Sequence, residues 1–434
     1  MNKNIESVSH GLLCSACGAC QTVCHKQAIT FETSSLGRKY AIVNHNLCVN
    51  CGLCMKVCPT LDVYKLHTKY ENPFIGNVLA VKVGQSNDDK YFKNAQSGGV
   101  CASILDFLFA QGKIDGALVC KMDYGNTPKV KGTIISSREE IYDCQKSCYT
   151  QVELLTALST AKDKKSLAVV GLPCHIEGSL NLSMTLKRFE NIKYRIGLIC
   201  DRSLCEGIQE VIKQHSFISQ PFKIDWRRKH FNKDGNHYTY KKAPLVAYTK
   251  SKEEKIYPNY YRFALKDMFT APRCRVCYDK LNVHCDIMLG DPWGMSGIDW
   301  DKGASVIVCR TNKGKDIIDS MESLNLLLLS SRSLDELLTG QLMSKREKQV
   351  RTYSKALDEM NHNLDSYIYS LYNESEVERN MLSNAKKEIL RFLKNESKSK
   401  TYNLRKANEL LAIWSGNINV VVKLWYKIKK LMKL

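Results

Sequence analysis

Eight cysteines crowd between Cys14 and Cys58 and fall into two quartets of identical spacing. Cys14, Cys17, Cys20 and Cys24 follow the pattern C-x2-C-x2-C-x3-C, as do Cys48, Cys51, Cys54 and Cys58, the last followed by Pro59. Gaps of two residues let a tight loop present three sulfurs to one small volume, and the fourth ligand must then come from elsewhere. Gly18 and Gly52 sit at matching places, where a side chain would crowd whatever the sulfurs hold. The start of the chain must therefore be organised around sulfur.

This spacing is that of a pair of cubane 4Fe-4S clusters. In two-cluster ferredoxins the last cysteine of each quartet serves the other cluster. On that pattern one cluster takes Cys14, Cys17, Cys20 and Cys58, and the other takes Cys48, Cys51, Cys54 and Cys24. A zinc ribbon uses paired C-x-x-C knuckles that close on four ligands, and two duplicated quartets fit that poorly. One departure stands out: His25 occupies the place of the usual proline after the fourth cysteine, which loosens the turn but removes no ligand.

The chain carries nineteen cysteines in 434 residues. Met1 to His10 has neither an apolar core nor a cleavage pattern, so no signal peptide is read and a cytoplasmic protein is expected. Disulfides rarely persist in a reducing cytosol, so the cysteines speak for metal ligation or redox work. No apolar run reaches the roughly 18 residues of a spanning helix. The formal net charge of +20 invites a nucleic-acid reading. However, each oxidised cluster with four thiolates carries about −2, and much of the basic surplus lies between Lys398 and Lys433. A lysine-rich solvated surface is the favoured reading, with no nucleic-acid partner.

Four segments are expected. Residues 1–70 form a two-cluster module, residues 75–160 and 161–325 the two parts of a larger domain, and residues 326–434 a helical basic extension. Apolar runs at Val78–Val83, Gly116–Met122, Leu167–Val170, Ile196–Cys200 and Ser305–Val308 read as strands, with a helix over Val100–Phe109. Ser333 and Glu336 have capping-box spacing. The fold class is thus an α+β ferredoxin-like module, then an α/β flavin- and cluster-binding domain, then a helical C-terminal extension.

Four landmarks beyond the quartets resemble the family of coenzyme F420 hydrogenase and dehydrogenase beta subunits, which includes the 7-hydroxymethyl-chlorophyll reductases. They are Asn94-Ala95-Gln96-Ser97-Gly98-Gly99-Val100, Gly171-Leu172-Pro173-Cys174, Cys274-Arg275-Val276-Cys277-Tyr278-Asp279, and Asp286-Ile287 with Gly290-Asp291-Pro292-Trp293-Gly294. The resemblance implies a flavin, FAD, and a third 4Fe-4S cluster. Carried onto this chain, the third-cluster ligands are Cys174, Cys200, Cys274 and Cys277, with Cys205 a competitor for the place of Cys200. Ser97, Gly98 and Gly99 precede a helix, where glycines let a pyrophosphate approach backbone N–H groups. Lys146, in Lys146-Ser147-Cys148-Tyr149, is expected near the flavin, an ordinary helix start being the alternative. The implied activity is that of an oxidoreductase passing electrons between a flavin-reactive substrate or coenzyme, with F420 as one candidate, and the clusters. A subunit that only feeds a partner reductase, with a link to surface-polysaccharide biosynthesis, is the alternative. A redox partner protein or ferredoxin and a small-molecule donor or acceptor are the expected partners.

Trp226-Arg227-Arg228-Lys229 reads as a strand with a solvated charged face, contact with flavin phosphates or an acidic donor being the alternative. Asp279 and Asp291 are either supports for the cluster and flavin surroundings or turn residues. Cys101, Cys120, Cys144, Cys148, Cys285 and Cys309 are read as structural. Val421, Leu424, Trp425, Ile428, Leu431 and Met432 fall at helical spacing among lysines. That basic helix is expected to pack on the body, peripheral membrane contact being the other use. No catalytic residue is assigned, and no His/Asp/Ser constellation suggests hydrolysis.

Overall fold

The computed structural model describes residues 4–10, 12–216, 218–229, 243–258, 260–300, 302–362 and 377–415. Its strands are β1 (Ile29–Thr33), β2 (Lys39–Val43), β3 (Ala80–Ser86), β4 (Gly116–Asp123), β5 (Lys129–Ile135), β6 (Leu167–Gly171), β7 (Ile192–Leu198), β8 (Phe222–Asp225), β9 (Leu245–Thr249), β10 (Glu254–Tyr257), β11 (Ile287–Gly290), β12 (Ser305–Cys309) and β13 (Leu327–Ser331).

In the first seventy residues, β1 and β2 form an antiparallel hairpin, with Ile29 opposite Val43. The short helices Ala19–Val23 and Leu53–Lys56 each follow a glycine in the left-handed region, Gly18 at φ +92 and Gly52 at φ +73. Only glycine adopts that conformation without strain. Gly18 also admits the next domain: a Cβ there would lie 2.9 Å from the Thr156 side chain and 3.1 Å from the Glu153 carbonyl.

The large sheet runs β13-β3-β12-β11-β7-β6-β4-β5. Its centre is parallel: β4 pairs with β6, β6 with β7, and β7 with β11. Both flanks are antiparallel, so the sheet is mixed rather than the plain α/β sheet expected. Along β6, Leu167 and Val169 join one apolar cluster while Ala168 and Val170 join the other. That two-sided burial produces the unbroken apolar runs seen in the sequence. The helix Val100–Ala110 covers one face with Val100, Ile104 and Leu108, spaced four residues apart and buried. On the other face the helix Pro173–Thr185 packs with Ile176 and Leu182. A second, antiparallel sheet has the order β10-β9-β8.

The helices Met343–Glu359, Arg379–Glu396 and Lys400–Ser415 follow. They lie against the rest of the chain: Arg38 pairs with Glu396 at 2.7 Å, and His215 Nε2 is 2.9 Å from Asn408 Oδ1. At Ser333 the capping box is half formed. Its hydroxyl accepts from the Glu336 backbone at 3.1 Å, but the Glu336 carboxylate turns to Ser296. Among the described residues, no helix is long and apolar enough to cross a membrane. The helix expected over Val421–Met432 lies outside the described residues.

Candidate functional site

The parallel strands aim their carboxyl ends at one region, the usual place for a ligand in an open α/β sheet. Cys174 follows β6, Cys200 lies two residues past β7, and Asp291 follows β11. The N-terminal module packs on the same side, where Leu155 N donates to Cys17 O at 3.0 Å.

Two cavities in that module sort the eight cysteines. One, of about 280 Å³, is lined by Cys14, Cys17, Cys20 and Cys58. The other, of about 370 Å³, is lined by Cys24, Cys48, Cys51 and Cys54. Each quartet thus sends its last cysteine to the other's cavity, the crossed arrangement expected from the spacing. Burial, then repulsion among the sulfurs, pushes the thiols up: Cys17 to about 11, Cys58 to about 12, and Cys20 well above the ordinary range through Cys14, Cys17, Cys58 and Cys54. Four thiolates can share such a space only with cations among them, which suits a cubane. Backbone amides also point at the sulfurs, as at Ala28 N to Cys24 Sγ, 3.4 Å. Such N–H···S contacts tune cluster potentials.

Around the helix Pro272–Arg275 a third group forms. Cys174 has Cys200, Cys277 and Cys274 as electrostatic neighbours, and Cys17 as well, so this group adjoins the first cavity. Gly178, on the Cys174 helix, reinforces the approach: a Cβ there would lie 3.6 Å from Cys17 Sγ. The competitor Cys205 has different surroundings. It is buried, its N donates to Phe269 O at 2.7 Å, and Arg38 and Glu396 outweigh Cys274 among its charged neighbours. His175 fixes the start of the Cys174 helix. Its Nδ1 accepts from Leu172 N at 3.2 Å, its Nε2 donates to Val152 O at 3.2 Å, and burial lowers it to about 4, so it is neutral. Ser203 N donates to Cys274 Sγ at 3.2 Å. Asp279 is buried and accepts from Val283 N at 2.9 Å, so it holds the turn after Cys277. Among the described residues, no three His, Cys, Asp or Glu side chains converge as around a single metal ion. A cubane instead spreads its thiolates around four irons.

The residues expected at the flavin also come together. Leu204, beside Ser203, donates its N–H to Tyr149 O at 2.9 Å, which joins the third group to the Lys146–Tyr149 segment. That segment is no helix start: Lys146 has φ +81 and Tyr149 φ +58. Ser147 N donates to Gln96 Oε1 at 3.2 Å, which seats it on the Ser97-Gly98-Gly99 loop. Gly98 N donates to Ser305 Oγ at 3.0 Å, and a Cβ on Gly98 would lie 2.6 Å from Gly84 O.

The solvated strand expected at Trp226–Lys229 is corrected. β8 ends at Asp225, and Trp226, Arg227 and Lys229 are buried, at 0%, 5% and 8% exposure. Lys229 donates to the carbonyls of Ser97 and Phe92 and stands 3.9 Å from the Phe92 ring centroid. Arg227 pairs with Asp291 at 2.8 Å, and Lys146 and Arg228 share Asp225. Arg262 lies over the Tyr149 ring, and Tyr149 lies against Trp226. The sequence run looked exposed because it is basic; the carbonyls, the aromatic faces and Asp291 are what bury it. Burial, then Arg227, lowers Lys229 to about 7. Three buried donors find no acceptor among the described residues: Gln96 Nε2, Trp226 Nε1 and Arg262 Nε. Five cations against three carboxylates, Asp225, Asp291 and the Glu254 that also pairs with Arg228, with orphaned donors nearby, suit an anionic ligand such as a dinucleotide's pyrophosphate. Contact with flavin phosphates is only the alternative reading of the run holding Arg227 and Lys229, because a basic run carries no signal of depth, and Arg262 escapes assignment altogether.

Cys120, Cys144 and Cys148 are mutual electrostatic neighbours, while Cys285 and Cys309 are buried. Cys101 is partly buried on the helix Val100–Ala110.

Comparison with known proteins gives matches along most of the chain. The family described as coenzyme F420 hydrogenase/dehydrogenase, beta subunit matches with its N-terminal part at residues 81–159 and its C-terminal part at residues 164–333. A 4Fe-4S dicluster domain matches at residues 13–61. An uncharacterised protein of Methanocaldococcus jannaschii is 30% identical over 332 residues, covering 70% of this chain and 84% of that protein. One of the subunits of the F(420)H(2) dehydrogenase of Methanosarcina mazei is 27% identical over 329 residues, covering 73% and 84%. The coenzyme F420-dependent sulfite reductase of M. jannaschii is 26% identical over 336 residues, and the chain spans only 47% of it. Among solved structures, a chain of the F420-reducing [NiFe] hydrogenase complex from Methanosarcina barkeri has the same fold, with a TM-score of 0.53 at 18% identity over 68% of this chain and 97% of that one.

Proposed function

The chain belongs to the family of coenzyme F420 hydrogenase/dehydrogenase beta subunits, and from that premise we propose that it is an iron–sulfur flavoprotein oxidoreductase that passes electrons between a hydride-donating or -accepting coenzyme and a protein partner. The observation that carries the reading is the succession of neighbours. With Cys54 an electrostatic neighbour of Cys20, the cavity of Cys24, Cys48, Cys51 and Cys54 adjoins that of Cys14, Cys17, Cys20 and Cys58. Cys17 of the latter neighbours Cys174, and the Cys174 group touches the Lys146–Tyr149 segment through Ser203 and Leu204.

In this reading Cys174, Cys200, Cys274 and Cys277 hold a third cluster, and FAD lies against Ser97, Gly98, Gly99 and Lys146. A bound flavin supplies the exchange between two-electron and one-electron chemistry. The chain's own residues do the rest. Lys229, Arg227 and Arg262 hold and neutralise the anionic part of the ligand. Trp226 and Tyr149 give an apolar, water-poor wall. Gly98 leaves room where the chain closes on Gly84 and Ser305. The Cys17–Cys174 approach brings two sulfur sets close enough for single-electron transfer.

A second reading, a subunit that only feeds a partner reductase, is favoured by the open end of the succession. Cys51 is exposed beside Leu47 at 48% and Val49 at 56% exposure, and the cavity there is lined by His25 and Lys26 and by no carboxylate. A basic and apolar rim suits an acidic redox protein. Both readings share the wire and differ in whether the chain has its own organic substrate.

The test is anaerobic rapid mixing of the full chain with reduced coenzyme F420 and, separately, with NADH. Flavin reduction followed by cluster reduction is expected with one of them. Absence of cluster reduction by either donor, in protein that dithionite reduces, would overturn the coenzyme-linked reading and leave the feeding role.

A further inference from the structure

The third cysteine group is closed by a segment that lies past the matched family region, which ends at residue 333. The helix Met343–Glu359 buries Met343, Val350, Tyr353, Ala356 and Leu357. On the same helix Arg346 is 4% exposed, a deep position for a guanidinium. All three of its nitrogens are spent on the cysteine loops. Nη2 donates to Cys274 O at 2.8 Å and to Cys277 O at 2.8 Å, Nε donates to Cys277 O at 3.2 Å, and Nη1 donates to Asp201 O at 3.3 Å. One side chain thus ties the residues after Cys200 to both ends of the Cys274–Cys277 turn.

We propose that Arg346 is a positioning residue for the cluster of Cys174, Cys200, Cys274 and Cys277, clamping its loops and raising its reduction potential. The proposal rests on the reading that those four cysteines hold a cluster.

Two physical effects combine at Arg346. The carbonyls at the end of the four-residue helix Pro272–Arg275 and just beyond it lack helical partners. A planar fork of fixed charge satisfies several at once, which a lysine cannot do. The same charge is an electrostatic neighbour of the Cys200 and Cys277 sulfurs. Reduction makes a cluster more negative, and a buried cation close by favours that state. The helix itself is held in place from both sides. Arg275, between the two cysteines, donates to Tyr353 Oη at 3.1 Å and to Glu388 Oε2 at 2.9 Å, so the turn and the extension grip each other twice.

The experiment compares Arg346→Gln and Arg346→Lys with the native full-length chain by iron content and by redox titration followed in electron paramagnetic resonance. The third cluster's signal is identified as the one missing from Cys174→Ala. Arg346→Gln is expected to keep about twelve irons, as three four-iron clusters require, and to move that signal's midpoint to more negative potential while the other two signals stay in place. Arg346→Lys, which retains the charge, is expected to stay near the native midpoint. An unchanged midpoint in a fully loaded Arg346→Gln protein would overturn the proposal. So would loss of the cluster in both variants, because the arginine would then serve folding alone. About eight irons in the native chain would instead remove the reading beneath it.

Discussion

Cys58→Ala is expected to abolish the cluster of the first quartet, although Cys58 belongs to the second. Its sulfur lines the cavity of Cys14, Cys17 and Cys20, and its charged neighbours are Cys17 and Cys14. Iron should fall from about twelve to about eight per chain, the loss of one four-iron cluster. The double substitution Cys20→Ala with Cys58→Ala separates the two possible arrangements. If the ligands cross, both positions serve one cluster and iron stays at about eight; if each quartet is self-contained, it falls to about four. On the proposed wire, transfer from the flavin end to the exposed end should be lost in Cys58→Ala, because the first cluster would stand between the other two. Cys24→Ala should remove the second cluster and leave the first in contact with the third.

Replacing Lys229 by methionine should weaken flavin binding by about 100-fold, or about 2.7 kcal/mol. That is the scale of a charge-assisted hydrogen bond in a buried site. Methionine keeps the apolar stem beside Phe92 and removes only the ammonium. The pH dependence gives a second signature. Burial, then Arg227, lowers Lys229 to about 7 without a ligand. An anion favours the charged form, so binding takes up a proton above that pH. Flavin affinity should therefore fall as pH rises through about 7 and should lose this dependence in Lys229→Met. The sign for the ligand-free fold is opposite. Above about 7 the unfolded chain holds more protons at this lysine, so stability rises with pH toward the ordinary lysine range. Equilibrium dialysis of flavin at several pH values, with thermal denaturation of the ligand-free chain, measures both.

The cysteine module was legible because its cysteines are local. Spacing alone implied the crossed use of Cys24 and Cys58, and the two cavities sort the sulfurs that way. The parallel strands were legible because burial on both faces leaves unbroken apolar runs such as Leu167–Val170. The third group was not legible from spacing: Cys174, Cys200 and the Cys274/Cys277 pair are separated by long stretches of chain, and only the landmarks linked them. Strand ends shifted for a related reason. Cys200 looks like the end of an apolar run, but β7 stops at Leu198: Ile199 N makes the last bond to β11, at Leu289 O, 2.8 Å, and Cys200 N turns to Lys280 O at 3.0 Å. The burial of Arg227 and Lys229 was hidden because charge in a sequence says nothing of the carbonyls and carboxylates that will meet it. Arg346 was hidden for the same reason, since its partners are backbone oxygens that carry no residue identity.

A continuous wire from a flavin through three clusters is tested most directly by the iron, sulfide and flavin content of the anaerobically purified full chain. The expected result is about twelve irons, as many sulfides and one flavin. About eight irons with no flavin would leave the two N-terminal clusters standing and would contradict the assignment of the larger domain as a redox centre.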